Sequence, residues 1–419
     1  MSELTPVADH RANILSGMRP LGARRMPLTD ARGLRLAEPA HARFPVPPWD
    51  NSAMDGYAVR FADISGVSKG NSVTLDVIAD LPAGSSLDPS LGAGQAARIM
   101  TGAVLPTDAD TVVQLEHTDR TDPHGELAAT VTIREPQSQG RHVRTAGGDM
   151  VPGDLVAGAG TLLSATALSS LASTGQGTVM VHPPATVAVI ATGSELLAPG
   201  ENLTRGQIPD SNSLLLSALA QQAGAEVVSA APVGDDPEEL AHHLSRVEPH
   251  ADVIVLTGGV SAGAYDPLTR VFAESREVTF SKVSMQPGKP QAFGRYGNAW
   301  LFGLPGNPVS AWVSFHVFVR PALLLLQGAS PDMLVPTPVP ARVIEGWRTP
   351  PVRDQYLPAR LDPGNDGHLE VRPAAARGSQ SHLVASLARA NGYAIVPGHI
   401  EKVEPGDTVE VVVEPGGDL

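Results

Sequence analysis

Three glycine-containing turns between residues 251 and 310 have the composition of anion-binding sites. They are Thr257-Gly258-Gly259, Gln286 to Pro290, and Leu304 to Pro308. Glycines let main-chain N–H groups approach a ligand closely, and a helix start directs unpaired N–H groups and a positive dipole end toward it. Lys289 adds a positive charge to the second turn. These turns therefore indicate a site for an oxyanion.

Acidic residues accompany the turns. Glu195 follows Thr192-Gly193, and Asp235 and Asp266 lie beside predicted helix starts. Mg²⁺ is commonly held by one or two carboxylates together with phosphate oxygens and water. An acid near a helix start also stabilises the helix dipole, so ligand binding and helix capping are both open roles for these three residues. An oxyanion site with a hard cation nearby favours an enzyme over a simple scaffold.

Composition narrows the class of protein. The chain has 419 residues, 42% of them hydrophobic and 18% charged, which is typical of a globular protein with several domains. It contains no cysteine, which excludes disulfides and thiolate metal sites. Its formal charge of −14 argues against a nucleic-acid-binding surface. No apolar run approaches the ~20 residues of a membrane span, and no secretory signal pattern is present, so we expect a cytoplasmic protein without membrane partners.

Strand and helix signals alternate between residues 179 and 330. The predicted strands are Thr186–Ile190, a run starting at Val227, Val253–Leu256 and Trp300–Phe302. The predicted helix starts are Asp210-Ser211-Asn212, Asp236-Pro237, Asp266-Pro267 and Asn307-Pro308, because each combines capping side chains or a proline with a following helical pattern. This alternation predicts a parallel sheet, whose ligands gather at the carboxyl ends of the strands. Neither the Walker pattern nor G-x-G-x-x-G is present.

Two other regions contain short strand candidates. One spans residues 57–135 and is flanked by the helical segments Thr5–Met18 and Ser164–Ser173, so we predict an insertion into a region built from both sides. The other follows Pro331–Pro340, where four prolines in ten residues predict a stiff connector. Its predicted strands are Val339–Val343, Tyr356–Leu361, Leu369–Arg372, Tyr393–Pro397 and Val409–Val413, a pattern that suits a small barrel or sandwich.

Two polar motifs in the first β region are open to two interpretations. Asp50 to Tyr57 contains two acids and an asparagine, and Met100 to Ala103 contains Thr101. Such turns often only bond their own backbone, although they also suit a functional site.

Seven motifs together resemble the molybdopterin molybdenumtransferases of the MoeA and gephyrin E-domain family. In chain order they are Pro48 to Ala58, Ile99 to Ala103, Thr192 to Leu196, Ser211-Asn212, Thr257 to Gly263, Pro287 to Pro290, and Leu304 to Ser310. The resemblance implies a multidomain α/β plus β fold. Its parts would be a discontinuous elongated N-terminal domain (1–49 and 141–178), an inserted β domain (50–140), a central molybdopterin-binding α/β domain with a parallel sheet (179–330), and a C-terminal β barrel-like domain (331–419).

The resemblance also implies an activity and partners. The substrates would be adenylylated molybdopterin and molybdate, and the products AMP and molybdenum cofactor, with Mg²⁺ as cofactor. A homodimer is implied, in which the cleft of one protomer is completed by Asp55 and Thr101 of the other. Molybdopterin adenylyltransferase and apo-molybdoenzymes are further implied partners.

Site residues follow from the resemblance by matching position. The catalytic set would be Asp55, Thr101, Asp149, Glu195, Asp235, Asp266 and Lys282. The set binding substrate and molybdate would be Gly258, Gly259, Ser261, Lys289, Pro305, Ser310, Arg353 and Ser381. The implied metal ligands are Glu195 and Asp266.

The chain departs from the family pattern at two places. Gln286 stands where the family has a lysine, which removes one cation from the oxyanion site. The run from Gly140 to Asp149 is less basic than in the family, although Asp149 itself is present. Both departures bear on affinity for the anionic substrates.

Two other functions remain open on sequence grounds. One is adenylylation of molybdopterin, since adenylyltransferases share the α/β domain but do not require the additional β domains. The other is a non-catalytic scaffold of the gephyrin type, for which loss of the acidic residues would be expected. Those acids are retained here.

Overall fold

The computed structural model describes residues 4–122, 125–260, 267–273, 275–375 and 383–414. Three predicted site residues, Ser261, Asp266 and Ser381, lie outside the described residues. The predicted multidomain α/β plus β fold is confirmed by a central α/β sheet, a separate five-stranded sheet and a closed C-terminal barrel.

A six-stranded sheet forms the centre of the α/β region. Its four parallel strands lie in the spatial order Glu226–Val233, Thr186–Thr192, Val253–Thr257, Ala299–Leu304. The chain therefore moves to one side of Thr186–Thr192 and then returns to pair on its other side. A reversal of this kind opens a crevice at the carboxyl ends of the two strands between which it occurs.

An antiparallel pair extends this sheet, which the sequence analysis did not predict. Pro290–Tyr296 pairs with Ala299–Leu304, and Val278–Lys282 forms the outer edge. Gly294 allows the close approach of these strands, since an added Cβ would lie 1.9 Å from the Glu277 carbonyl oxygen. The central sheet is therefore mixed and not wholly parallel.

The helices of this region begin where the sequence predicts. Asp236 caps Pro237–Val247 by accepting a hydrogen bond from the Glu238 N–H at 3.0 Å. Asp210 accepts from the Ser213 N–H at 3.0 Å at the start of the preceding helix, Asn212–Gln222. The helices are Asn212–Gln222, Pro237–Val247, Pro267–Val271, Pro308–Ser314 and Arg320–Leu326, and a π-helical segment, Phe315–Val319, joins the last two. A short 3-10 helix covers Glu248–His250.

The continuous helical segment Pro308–Leu326 is the core helix of the α/β region. Its length of 19 residues and its apolar composition would suffice to cross a membrane, but 89% of its most apolar window is buried inside the protein. Trp312, Phe315, Phe318 and Leu323 pack against the central sheet and the first helix in one apolar cluster. Burial in this core accounts for its composition.

Strands from both ends of the first 182 residues pair with one another. Thr178–His182 lies between Arg24–Pro27 and Arg35–Leu36, and Leu155–Ala157 pairs with Ala40–His41. The same region contains the pair Val143–Arg144 and Asn51–Ser52, the helices Val7–Ser16 and Ala165–Ser173, and the 3-10 helix Leu28–Asp30. The N-terminal region is thus assembled from two separated stretches of chain.

The intervening stretch forms a five-stranded sheet with its own apolar core. In spatial order its strands are Thr111–Gln114, Gly56–Val59, Gln95–Ile99, Val73–Leu81 and Thr130–Ile133. Two short helical turns accompany them, Phe61–Ile64 and Leu115–His117.

The C-terminal region is a closed five-stranded barrel. Its strands, in order around the barrel, are Asp354–Pro363, Leu369–Pro373, Val339–Val343, Thr408–Val413 and Gly392–Val396, and the last pairs back with the first. Met285–Gln286 adds to the first strand in parallel, Trp347–Arg348 pairs with Lys402–Val403, and a 3-10 helix covers Val384–Arg389. The stretch between the α/β region and the barrel contains a helical turn at Pro331–Leu334, and the first barrel strand along the chain is Val339–Val343, as predicted.

Candidate active site

A cleft of about 1040 Å³ opens at the carboxyl ends of the parallel strands. Four turns form its walls: those that follow Thr192, Val233, Thr257 and Leu304. Predicted site residues that line it are Glu195, Asp235, Gly258, Gly259, Pro305 and Ser310. The cleft lies beside the reversal in strand order, so the sheet topology accounts for its position.

Two turns of the cleft depend on glycine. Gly258 has φ +91°, and a Cβ there would lie 2.7 Å from both the carbonyl oxygen and Oγ1 of Thr192. Gly306 lies against Gly258, since a Cβ added at Gly306 would be only 3.3 Å from the Gly258 Cα. The two turns therefore contact each other through bare backbone. Without side chains at these positions, a ligand can approach the backbone of both turns closely.

A buried hydrogen-bond network fixes these turns. The Thr257 hydroxyl donates to the Pro305 carbonyl at 3.1 Å and accepts from the Asn212 side-chain amide at 3.0 Å. The same amide donates to the Gly306 carbonyl at 2.7 Å, and the Gly258 N–H donates to the Leu304 carbonyl at 3.1 Å. Thr257 and Asn212 both stand in recognisable sequence motifs, but those motifs do not predict this network.

The acidic side of the cleft is organised by a reciprocal pair of bonds. The Ser194 N–H donates to the Asp235 carboxylate at 3.0 Å, and the Asp235 N–H donates to the Ser194 hydroxyl at 3.2 Å. The Glu195 main-chain carbonyl accepts from the Ile208 N–H at 2.9 Å. Asp235 thus ties its own turn to the turn that carries Glu195, whose exposed side chain is available to the cleft.

The Gln286–Pro290 turn forms another wall, which Gly288 and Pro290 line. The Gln291 side-chain amide donates to the Gly288 carbonyl at 2.6 Å and to the Ser314 hydroxyl at 2.7 Å, and all of these bonds are buried. Lys289 is exposed, with its main chain bonded to the Val283 N–H at 2.7 Å. The Gln286–Pro287 peptide bond is cis.

Arg353 is half-buried and lies directly before a barrel strand that pairs with this turn. Gln286 pairs with Gln355, and the Asp354 N–H donates to the Ser284 carbonyl at 3.2 Å. The barrel thereby brings the Arg353 backbone beside the Lys289 turn, although Arg353 does not line the cleft. Lys282 is exposed and also lies outside the lining.

Asp55 and Thr101 form a pair in the five-stranded sheet. One Asp55 carboxylate oxygen accepts hydrogen bonds from both the N–H and the hydroxyl of Thr101, each at 2.7 Å. Asp149 is exposed and its N–H donates to the Val46 carbonyl at 2.9 Å. None of these three residues lines the cleft of its own chain.

Among the residues that the structure describes, the carboxylates of the cleft fit Mg²⁺ in combination with a phosphate-bearing substrate. Within the described ranges, no group of three or more acidic or histidine side chains could hold a metal ion. Glu195 and Asp235 nevertheless provide carboxylates in the cleft, and Mg²⁺ bound through one or two carboxylates completes its shell with phosphate oxygens and water.

Comparisons with known proteins agree with this arrangement. Models of the MoeA N-terminal region (domain I and II), a probable molybdopterin-binding domain and the MoeA C-terminal region (domain IV) match residues 5–175, 188–324 and 340–413, respectively. A Mycobacterium tuberculosis protein named molybdopterin molybdenumtransferase 2 is 39% identical over 97% of this chain and 98% of its own. The chain belongs to the MoeA family.

Other MoeA relatives show the same extent of similarity. A Staphylococcus aureus protein named molybdopterin molybdenumtransferase is 32% identical over 97% of this chain and 95% of its own. The crystal structure of a molybdopterin biosynthesis MoeA protein from Pyrococcus horikoshii superposes with a TM-score of 0.81 at 31% identity, covering 98% of this chain and 99% of that one. The recognition of the family from its motifs is therefore confirmed over nearly the whole chain.

Proposed function

We propose that this protein is a molybdopterin molybdenumtransferase that uses adenylylated molybdopterin and molybdate and releases AMP and molybdenum cofactor. The observation that carries the proposal is the cleft, where glycine turns and a helix start line the same crevice as Glu195 and Asp235. Relatives named for this activity match the chain from end to end. The retained acids support an enzyme over a scaffold.

The two sides of the cleft suit two parts of the reaction. The main chain of Gly259 and the hydroxyl of Ser310 would supply donors for oxyanions, and Lys289 would supply a nearby charge. Glu195 and Asp235 would hold Mg²⁺ at the phosphoanhydride, where it would neutralise charge. The P–O–P bond breaks with addition of one water, so that AMP leaves with one phosphate and the other stays on molybdopterin.

Release of AMP tests this function directly. Purified protein is supplied with Mg²⁺, molybdate and adenylylated molybdopterin, and activation of an apo-molybdoenzyme is measured in the same reaction. We expect molybdate-dependent activation, and we expect Glu195→Gln to suppress AMP release at least about tenfold. Glu201→Gln, an exposed change six residues away, is the matched control. Consumption of ATP without molybdate dependence would instead identify an adenylyltransferase.

We further propose that the active unit is a homodimer. Asp55 and Thr101 are paired with each other and line no part of their own cleft, so a role for them in the reaction requires a second protomer. The N-terminal region also exposes large apolar side chains that a dimer interface would cover, with Trp49 65%, Leu155 57% and Phe44 53% exposed.

Mixing two inactive variants tests this arrangement. Asp55→Asn and Glu195→Gln protomers are unfolded, mixed in equal amounts and refolded together. If each cleft combines Glu195 of one protomer with Asp55 of the other, half of the dimers contain one intact cleft, which restores about a quarter of the wild-type activity. Mixed samples that stay as inactive as the single variants would exclude a shared cleft, and sedimentation of the wild type as a monomer would exclude the dimer.

A further inference from the structure

Asn212 is the first residue of the helix Asn212–Gln222 and is more than nine-tenths buried at the wall of the cleft. Its amide orientation is fixed by its neighbours. The Gly306 carbonyl can only accept, and the Thr257 hydroxyl proton is already donated to the Pro305 carbonyl. The amide nitrogen must therefore face both groups, as observed, and the side-chain oxygen Oδ1 points elsewhere. Oδ1 is buried and has no hydrogen-bond partner.

An unpartnered buried carbonyl oxygen is uncommon in a folded protein, because the lost hydration is not replaced. Here it belongs to a residue that holds two ligand-binding turns together, since the same amide bonds the Thr257 and Gly306 positions. The helix start at Asn212 also faces the cleft. These observations indicate that the unsatisfied acceptor is completed by a ligand.

We propose that Asn212 is a positioning and specificity residue whose Oδ1 accepts a hydrogen bond from an N–H of the substrate's pterin ring. The inference rests on the proposed function. Phosphate and molybdate dianions offer acceptors only, so they would leave Oδ1 unsatisfied. The pyrimidine edge of a pterin carries both a ring N–H and an amino group. Oδ1 therefore matches the pterin and not the oxyanion parts of the substrate.

This selection also sets the direction of the substrate in the cleft. The donor-bearing heterocycle would lie against Asn212, at the wall formed by the Thr257 and Gly306 turns, and the oxyanion part would extend away from that wall. Because Oδ1 has no solvent contact in the unliganded cleft, the substrate N–H reaches it through a small displacement of the Asn212 side chain.

Three variants separate this role from a purely structural one. Asn212→Ala removes both the bridging amide nitrogen and Oδ1. Thr257→Val breaks the network at the same bridge but leaves Oδ1 in place. Gln222→Ala alters the exposed end of the same helix and is the control. Dissociation constants are measured for adenylylated molybdopterin, AMP alone and molybdate alone, and steady-state AMP release gives KM and kcat.

We expect Asn212→Ala to weaken binding of adenylylated molybdopterin about tenfold, as loss of one good hydrogen bond would, while binding of AMP and molybdate changes less than about twofold. In steady-state kinetics the loss should appear as a higher KM. Thr257→Val should weaken binding of adenylylated molybdopterin by about threefold or less. Asn212→Ser replaces Asn212→Ala if thermal unfolding shows that the latter does not fold.

Wild-type affinity for adenylylated molybdopterin in the Asn212 variants would overturn the inference and leave the proposed function intact. A matching loss of affinity for AMP alone would also overturn it, since the donor would then belong to the nucleotide, as a ribose hydroxyl or the adenine amino group. If the wild-type protein binds no pterin substrate, the proposed function itself fails.

Discussion

Replacing Gln291 with methionine tests whether one side chain holds the Gln286–Pro290 turn in place. Gln291 is 2% exposed, and its amide bridges the Gly288 carbonyl and the Ser314 hydroxyl. Methionine has nearly the same length and shape but donates no hydrogen bond. The substitution therefore removes two buried bonds without opening a large cavity.

The two partners left behind do not cost the same. The Gly288 carbonyl becomes a buried acceptor without a donor, at about 1–3 kcal/mol. Ser314 lies in a helix, so its hydroxyl can rotate to a carbonyl of the preceding turn at little cost. The added apolar burial of the methionine offsets a part of the loss. We expect a net destabilisation of about 2 kcal/mol, which lowers the melting temperature of a region of this size by about 4–8 °C.

Differential scanning calorimetry measures the shift, because it can resolve the unfolding of separate regions. Gln222→Met is the matched control, since Gln222 is exposed at the end of the helix Asn212–Gln222. Loosening of the turn should also raise the molybdate KM, as Gly288 lines the cleft. The reasoning is refuted if Gln291→Met unfolds at the same temperature as Gln222→Met.

Three further substitutions have outcomes that follow from the structure. Gly258→Ala should abolish substrate binding measured by calorimetric titration, because Gly258 has φ +91° and an added Cβ would lie 2.7 Å from Thr192. Gly70 is the control, since it has a similar φ of +90° but no atom within 4 Å of an added Cβ. Gly70→Ala should therefore lose only about 1–2 kcal/mol of stability. Burial lowers the pKa of His10 to about 4, so its contribution to stability is complete above the ordinary pKa of 6.5 and is lost as pH falls through about 4. His10→Leu should therefore remove up to about 3 kcal/mol of the acid-induced loss seen in urea unfolding, and His399→Gln, an exposed change, should not. Gln286→Lys should lower the molybdate KM by up to about fivefold at nearly constant kcat, and an unchanged KM would show that this position does not act on the oxyanion.

Local signals in the sequence predict the central α/β region well. Asp236-Pro237 marks a helix start by its capping chemistry, and the apolar run Val253–Leu256, which is short and is followed by glycines, forms the predicted strand. The hairpin of Val278–Lys282 and Pro290–Tyr296 is missed because its pairing depends on a close backbone approach at Gly294. Such an approach leaves no periodic pattern along the chain.

The sequence predicts the motifs of the site but not the hydrogen bonds that join them. Thr257 and Asn212 both stand in recognisable motifs, yet their hydrogen bond joins positions 45 residues apart. The bond between Asp55 and Thr101 likewise spans 46 residues. Contacts of this kind are set by the register of whole strands, which the residue types alone do not determine.

The split construction of the N-terminal region imposes an order on folding during synthesis. Arg24–Pro27 can complete its sheet only after the ribosome has made His182, whereas the five-stranded sheet has all of its strands once Ile133 is made. We expect the inserted sheet to fold while its host region is still an open chain. Ribosome-bound chains can be stalled at a length at which residues up to 140 have left the exit tunnel. In these chains residues 56–133 should resist protease, whereas residues 4–36 should remain sensitive. The earliest residues to be made would then be among the last to find their partners.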